Sequence, residues 1–381
     1  VKDCTYQNAY KRLSIHYFFY FAVLGILLPY FALYLRSLDF TPVQIGHVLA
    51  TMLITKVIAP NIWGWLADRS GRVIFWVRLA TFMSFSIASL LLVVESYWAV
   101  LLTVLGFSFF WHASLPQFES YTLGCLAENK HRYGLLRLWG SVGFIVSALL
   151  VGWQIERVDI DVVPFDIVLL LLLVWLSGFL FRERKAHHEE QLDQRFFKVL
   201  KRPEVLGILA VSFLVQFSHG VYYTFYTIQL SELGYDKELI AWLWALGVLA
   251  EIGIFFWMAP LFKKFAVKSL ILLGIGLTII RWLAIGFVAD ELLVLVMAQL
   301  LHAFSFGLLH AAAIYLVDEF FTGRTHGRGQ ALYAASSHGL GGAVGMFIAG
   351  YAWSFGGAEL AYSISAIAVF FSALIAWRWL R

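Results

Sequence analysis

Apolar residues along this chain fall into long blocks of about 20, separated by short polar stretches rich in Arg, Lys, Asp and Gly. Each block is long enough to cross a hydrocarbon core of about 30 Å as a helix, and a helix satisfies its own backbone hydrogen bonds where no water is present. The pattern predicts twelve transmembrane helices, near residues 13–35, 43–65, 73–94, 97–124, 134–154, 162–181, 205–230, 239–261, 268–288, 291–317, 329–353 and 359–379. No polar stretch is long enough for a soluble domain; the longest is FRERKAHHEEQLDQRFFKVLKRPE, 181–204. The expected class is therefore an all-α, multi-pass membrane protein.

Composition agrees. Of 381 residues, 61% are hydrophobic and 14% charged, against roughly 45–50% apolar and 25% charged in soluble domains. The first apolar run has no small-residue cleavage site and exceeds a signal-peptide core, so it reads as a retained helix. The net charge of +4 does not call for a nucleic-acid partner, because its distribution has another cause. With the N-terminus inside, the inner segments carry about 22 Lys/Arg and the outer loops about three, Arg36, Arg157 and Lys237, as the positive-inside rule requires. Both termini are thus expected in the cytoplasm. Cys4 and Cys125 fall on that side with no metal-ligand spacing, and no disulfide is expected.

The polar segment divides the chain into an N-terminal six-helix half, 1–181, a cytoplasmic linker, 182–204, and a C-terminal six-helix half, 205–381. Short matches recur at offsets of about 200 residues: AP at 59–60 and 259–260, FSFFWHA (107–113) with FSFGLLHA (304–311), and VGW (151–153) with AGY (349–351). Duplicated six-helix halves are a transporter arrangement with the solute site between them near the midplane.

Between the second and third apolar blocks stands GWLADRSGR, 64–72. It resembles the loop signature of the major facilitator superfamily, with Gly64, Leu66, Ala67, Asp68, Arg69, Gly71 and Arg72 in place. The glycines would make a tight cytoplasmic turn, and Asp68 could pair with a cation to latch one transport state, with Arg69 and Arg72 beside it. Within the superfamily the chain is most similar to the lactose-permease-like branch, and there to the 3-phenylpropionate permease type. The residues that carry this are GILLPYFALYL (25–35), YGLLRLWGSVGF (133–144), QFSHGVYYTFY (216–226), LWALGVLAEIGIF (243–255) and IIRWL (279–283). The resemblance implies a secondary transporter of a bacterial-type cytoplasmic (inner) membrane, functional as a monomer, with a proton as coupling ion and no other cofactor.

Charged residues inside the apolar blocks are the candidate site. Glu119 and Arg137 are eighteen residues apart across a short basic turn, so two adjacent helices can bring them together; the lactose permease pattern has an acid and an arginine at this separation. An unpaired charge there costs about 2.5–3.5 kcal/mol on insertion scales. Such a pair could bind a carboxylate or hydroxyl through charge-assisted hydrogen bonds, or serve only as an interfacial ion pair. Lys56, at mid-depth, could add a cation to the cavity. Glu251 and Arg281 also sit near mid-membrane. A carboxylate removed from water holds a proton, and a nearby arginine expels it, so these two are candidates for proton coupling or for a structural bridge. Glu251 lies about one turn later than the corresponding permease glutamate.

His302 and Ser305 share a helix face, with His310 two turns on; the permease pattern has a glutamate where Ser305 stands. His112, His219 and His338 are further intramembrane histidines. Tyr222, Tyr223 and Tyr226 could stack on an aromatic solute, although successive residues cannot all face one cavity. Gly341-x-x-x-Gly345 permits close helix packing rather than dinucleotide binding, because no strand precedes it. AHHEEQ (186–191) lacks the spacing of a zinc motif. No phosphate loop supports ATP-driven transport, and no compact nucleophile–base set supports an enzyme. The expected function is proton-coupled import of a small organic solute by alternating access, best an aromatic carboxylate such as 3-phenylpropionate. A sugar or nucleoside symporter and a proton-driven exporter are the alternatives, the last disfavoured by the absence of a Gly-Pro element on the fifth helix.

Overall fold

A computed structural model of the protein describes residues 6–126, 129, 132–183 and 194–380. Cys4, most of the linker and AHHEEQ lie outside the described residues. The spanning helices are α1 (Tyr6–Ser37), α2 (Pro42–Ser70), α3 (Val73–Ala88), α4 (Tyr97–Leu126), α5 (Tyr133–Arg157), α6 (Val162–Ser177), α7 (Pro203–Glu232), α8 (Lys237–Phe255), α9 (Val267–Phe287) and α10 (Leu292–Phe320). A short helix, Gln194–Leu200, precedes α7.

The last apolar stretch, His326–Trp379, reads as one helix by hydrogen bonding. It breaks at Gly356 (φ −152°, ψ 23°) and Gly357 (φ 60°, ψ −152°), conformations that glycine tolerates. Contacts with α7 show the reversal: Phe213, Phe217 and Phe225 meet Gly341, Gly345 and Trp353 in order, and then Gly207, back near the start of α7, meets Trp379. The stretch is therefore α11 (326–355) and α12 (358–379), which gives the twelve crossings that the hydrophobic blocks predict. The predicted eighth span is interrupted at Phe256–Trp257, after which Met258–Lys264 forms its own short helix. Pro260 has no N–H to donate into the preceding turn and crowds its carbonyl. Pro60, its counterpart in the sequence repeat, is carried inside an unbroken α2.

The turn signature needs a correction. Residues 64–70 are not loop but the last turns of α2, which ends at Ser70. Gly71 alone makes the turn, in the left-handed region at φ 66°, donating its N–H to the Ala67 carbonyl at 2.9 Å. Asp68, Arg69 and Arg72 are exposed around this helix end, and the Arg69 guanidinium lies over the Trp65 ring at 5.4 Å. Gly64 instead faces Gln117 inside the bundle. Across the turn the Glu183 carboxylate accepts the Ile74 and Phe75 N–H groups at 3.0 and 2.9 Å, occupying the positive end of α3.

The chain forms two compact units, Val1–Phe40, Ile54–Glu189 and Asp236–Ala241 in the first, and Thr41–Leu53, Glu190–Tyr235 and Trp242–Arg381 in the second. Each is held by a helix crossing that only glycine allows. In the first, a Cβ on Gly143 of α5 would stand 2.1 Å from the Phe18 carbonyl oxygen of α1; in the second, a Cβ on Gly345 of α11 would stand 2.1 Å from the Phe217 carbonyl oxygen of α7. Gly341 has the same relation to Phe213, so the small-residue motif read from the sequence does pack a helix. The two crossings are separated by about 200 residues, the offset of the sequence repeat.

Gly345→Val should lower the thermal unfolding midpoint of the purified protein and its folded yield, because the obstructing atom is backbone and overpacking costs on the order of 1–3 kcal/mol. Gly276→Val, on an exposed face of α9 with open space around it, should change neither. Equal behaviour of the two variants in a fluorescence-detected melting series would count against the crossing.

Candidate functional site

In the first unit α4 and α5 run antiparallel through a short connection, which returns Arg137 beside Glu119. The Arg137 Nη1 atom lies 3.8 Å from Glu119 Oε1, an ion pair too long for a hydrogen bond. Tyr133, one turn before Arg137, donates its hydroxyl to the same Oε1 at 2.9 Å and so fixes the carboxylate. The Arg137 guanidinium is stacked over Phe21 at 4.2 Å and faces Tyr17 at 5.8 Å, both from α1. Its Nη1 is buried and makes no hydrogen bond among the described residues.

Lys56 on α2 interacts electrostatically with Arg137, Glu119 and His112. Its neighbour Thr55 hydrogen-bonds Ser108 Oγ at 3.2 Å and His112 Nδ1 at 2.9 Å. Tyr20 stacks on Trp111, with centroids 5.0 Å apart. Arg137, Lys56 and Glu119 are thus within electrostatic reach of one another.

The second unit holds the other cluster. Arg281 on α9 has no exposed surface. Its Nε donates to the Ala298 carbonyl at 2.8 Å, Nη1 to Ser305 Oγ at 3.0 Å and Nη2 to Gln299 Oε1 at 3.5 Å. The guanidinium carbon lies 4.4 Å from the Tyr222 ring and 4.6 Å from the Trp282 ring, which are themselves in contact at 5.9 Å. Glu251, matched to Arg281 in depth, has His302 within ion-pair range, Nε2 to Oε2 3.8 Å. Two glycines let α8 and α10 approach here: Gly247 lies against Gln299 and His302, and Gly307 against the Glu251 side chain.

Helix α10 is not regular at this point. Residues Ala303–Leu308 form a π-helical segment directly after His302, and Ala335–Gly341 form another on α11. Such segments recur at functional sites because they turn side chains out of α-helical register. Between them Phe306 is encircled by four imidazoles, His302 at 5.4 Å, His310 at 5.7 Å, His338 at 5.9 Å and His219 at 6.1 Å between centroids. His310 Nδ1 is 2.8 Å from the Tyr333 hydroxyl.

Of the three tyrosines proposed to meet solute, Tyr222 and Tyr226 are wholly buried. Tyr222 donates to Gln299 at 2.9 Å and stacks with Tyr226 and Trp244, so this pair walls the arginine; Tyr223 alone keeps exposed surface. Sequence reasoning missed Tyr133, Gln299 and Phe306. The spacing of Phe306, four residues after His302 and four before His310, was the available signal.

Twelve apolar crossings with charged side chains among the helices of each unit make this a multi-pass membrane protein, and the family match makes it a transporter of the major facilitator type. The chain belongs to the MFS_1 like family, whose model matches residues 10–364. It is 27% identical over 371 residues to a probable 3-phenylpropionic acid transporter of Escherichia coli (strain K12), covering 94% of this chain and 95% of that one. It is 26% identical over 380 residues to a maltose permease of Geobacillus stearothermophilus, with 93% and 91% covered. The crystal structure of the nucleoside transporter NupG superposes with a TM-score of 0.83 at 16% identity, covering 97% of this chain and 98% of that chain, a likeness of fold.

Arg281→Lys retains charge but cannot reach three acceptors in a plane. The expected outcome is a loss of about 2–4 kcal/mol, since a buried charge and its acceptors are left partly unmet. Trp282, against the guanidinium, gives the readout: its emission should shift and the melting midpoint fall. A variant that melts with the parent would remove Arg281 from the framework of this unit.

Proposed function

We propose that the protein is a proton-coupled symporter that imports an aromatic carboxylate of the 3-phenylpropionate kind by alternating access. The observation that carries the solute class is Arg137, a part-exposed guanidinium whose buried Nη1 has no hydrogen-bond partner, stacked on Phe21, with Lys56 as a second basic side chain in its field. A buried donor without a partner calls for a ligand acceptor. A carboxylate supplies it in two-pronged geometry, and an attached ring suits the surrounding Tyr20 and Trp111. The Escherichia coli relative supports the same solute class by its name. Glu251, 3.8 Å from His302, takes the proton.

Charge balance distinguishes this reading from a sugar or nucleoside symporter. One carboxylate anion moving with one proton carries no net charge. Its accumulation then follows the pH gradient, about tenfold per pH unit, and ignores the membrane potential. A neutral solute moving with one proton would instead gain about 2.3 kcal/mol from 100 mV.

The test is uptake of labelled 3-phenylpropionate into proteoliposomes. An inside-alkaline gradient should drive accumulation that a protonophore collapses, while a potassium-diffusion potential of either sign leaves it unchanged. Uptake no greater than in protein-free liposomes would sink the aromatic acid and transfer the test to maltose and uridine. In the same vesicles Glu251→Gln should abolish uphill accumulation yet keep solute exchange; equal loss of both would remove it as the proton carrier. Arg137→Lys should weaken half-saturation about tenfold or more, the order of one lost charge-assisted bond. An unchanged value would remove Arg137 from the solute site.

A further inference from the structure

Gly25, Gly140 and Gly143 all lie at the crossing of α1 and α5, yet they meet different neighbours. A Cβ on Gly25 would stand 2.4 Å from the Phe144 carbonyl oxygen, and one on Gly143 would stand 2.1 Å from that of Phe18. Both obstructions are backbone, which cannot step aside. A Cβ on Gly140 would instead find the Phe21 side chain nearest, 2.7 Å from ring carbon Cδ2 and 2.9 Å from Cγ. A phenyl ring can turn about its own side-chain bonds, so the helices do not need glycine at this position in order to cross. What Gly140 leaves room for is the place of one ring. That ring is the one over which the Arg137 guanidinium lies, at 4.2 Å. Arg137 and Gly140 are three residues apart on one face of α5, and Phe21 covers both.

We propose that Gly140 is a positioning residue of the solute site: by giving its side-chain space to the Phe21 ring, it keeps the Arg137 guanidinium stacked on that ring and open to a carboxylate. The proposal rests on the reading of Arg137 as the solute-binding cation and adds what holds that cation in place. An arginine beside a carboxylate ordinarily closes on it through two parallel hydrogen bonds. Arg137 stays 3.8 Å from Glu119 Oε1, the oxygen that accepts the Tyr133 hydroxyl at 2.9 Å. Two contacts account for the gap. Tyr133 occupies the acid, and the Phe21 ring attracts the face of the guanidinium, which leaves donors at its edge for an acceptor from outside the chain. A side chain at position 140 removes the second contact. The methyl of Gly140→Ala falls within the volume of the ring, the ring turns away, and the guanidinium is free to close on Glu119. An internal carboxylate then competes with the solute for the same nitrogen.

Two measurements test this, the first without any solute. A ring stacked on the guanidinium shifts the Arg137 side-chain resonances by its ring current. They are observed by NMR in 15N-arginine-labelled full-length protein in lipid nanodiscs and assigned through Arg137→Lys. Gly140→Ala should move them to the positions they take in Phe21→Leu, and resonances that Gly140→Ala leaves unmoved overturn the proposal. The second measurement is uptake of labelled 3-phenylpropionate into proteoliposomes. Gly140→Ala and Phe21→Leu should each raise half-saturation about tenfold, the order of one charge-assisted hydrogen bond lost to competition, with the maximal rate kept. The double variant should be no worse than Phe21→Leu alone, because Gly140 acts only through the ring. A role in packing alone would lower folded yield or maximal rate and leave half-saturation unchanged; that result, or losses that add in the double variant, overturns the proposal. If the unaltered protein takes up no 3-phenylpropionate, the solute reading has failed before any substitution and the proposal falls with it. Unmoved resonances beside normal uptake by the unaltered protein overturn the positioning role alone.

Discussion

Arg281 shows the constraint on which the rest of the interior depends: a charge carried into a membrane must find every partner within the protein. The guanidinium engages a backbone carbonyl, a serine and a glutamine, and it lies against the Tyr222 and Trp282 rings. Those demands fix the neighbours in turn. Gln299 must present its oxygen to Arg281 and Tyr222 together, which orients α10 against α9 and α7. Trp282 donates to Ser218 on α7 at 3.0 Å, closing the set. Little of this polar core faces solute; its work is to hold the helices on which Glu251, His302 and His310 stand.

The same requirement is met less completely in the first unit, and the difference is informative. Glu119 is held by Tyr133 but stands 3.8 Å from Arg137, whose Nη1 stays unmet. A structural ion pair would close to hydrogen-bond distance, since nothing is gained by leaving a buried donor empty. Each nitrogen of Arg281 thus has an acceptor within its unit, whereas Arg137, about a third exposed, keeps one nitrogen without a hydrogen bond. Saturation suits a scaffold, and an open donor suits a ligand.

How far this was legible in the sequence follows from what each feature depends on. The crossings were readable because their length and apolarity are set by the bilayer alone, and Glu119–Arg137 because a short turn returns the two helices side by side. Gly341-x-x-x-Gly345 was readable because small residues at that spacing have one main use in a membrane. The turn after α2 was drawn too long, since Gly64 looks like a turn residue and only its packing against Gln117 shows otherwise. Glu251 was matched to Arg281 by depth, and depth gave no sign that His302 would stand within ion-pair range of the acid. A π segment follows His302 directly, and no residue type announces that segment.

The π segments also explain why so many histidines gather in one place. In a regular α-helix His302, Phe306 and His310 would drift slowly around the helix. With extra residues inserted in the turn, the three rings remain in a column, with interplanar angles of 16° and 18°. The second segment brings His338 edge-on to the same column from α11, 5.2 Å from His310. A π segment sacrifices hydrogen-bond geometry in its own helix, and burial of imidazoles is unfavourable whenever they are charged. Both costs fall on the same few residues, beside the part-buried Glu251. An arrangement kept only for packing would be better served by leucine and a regular helix, so the column is best understood through what imidazole alone adds, a nitrogen that can take up and release a proton.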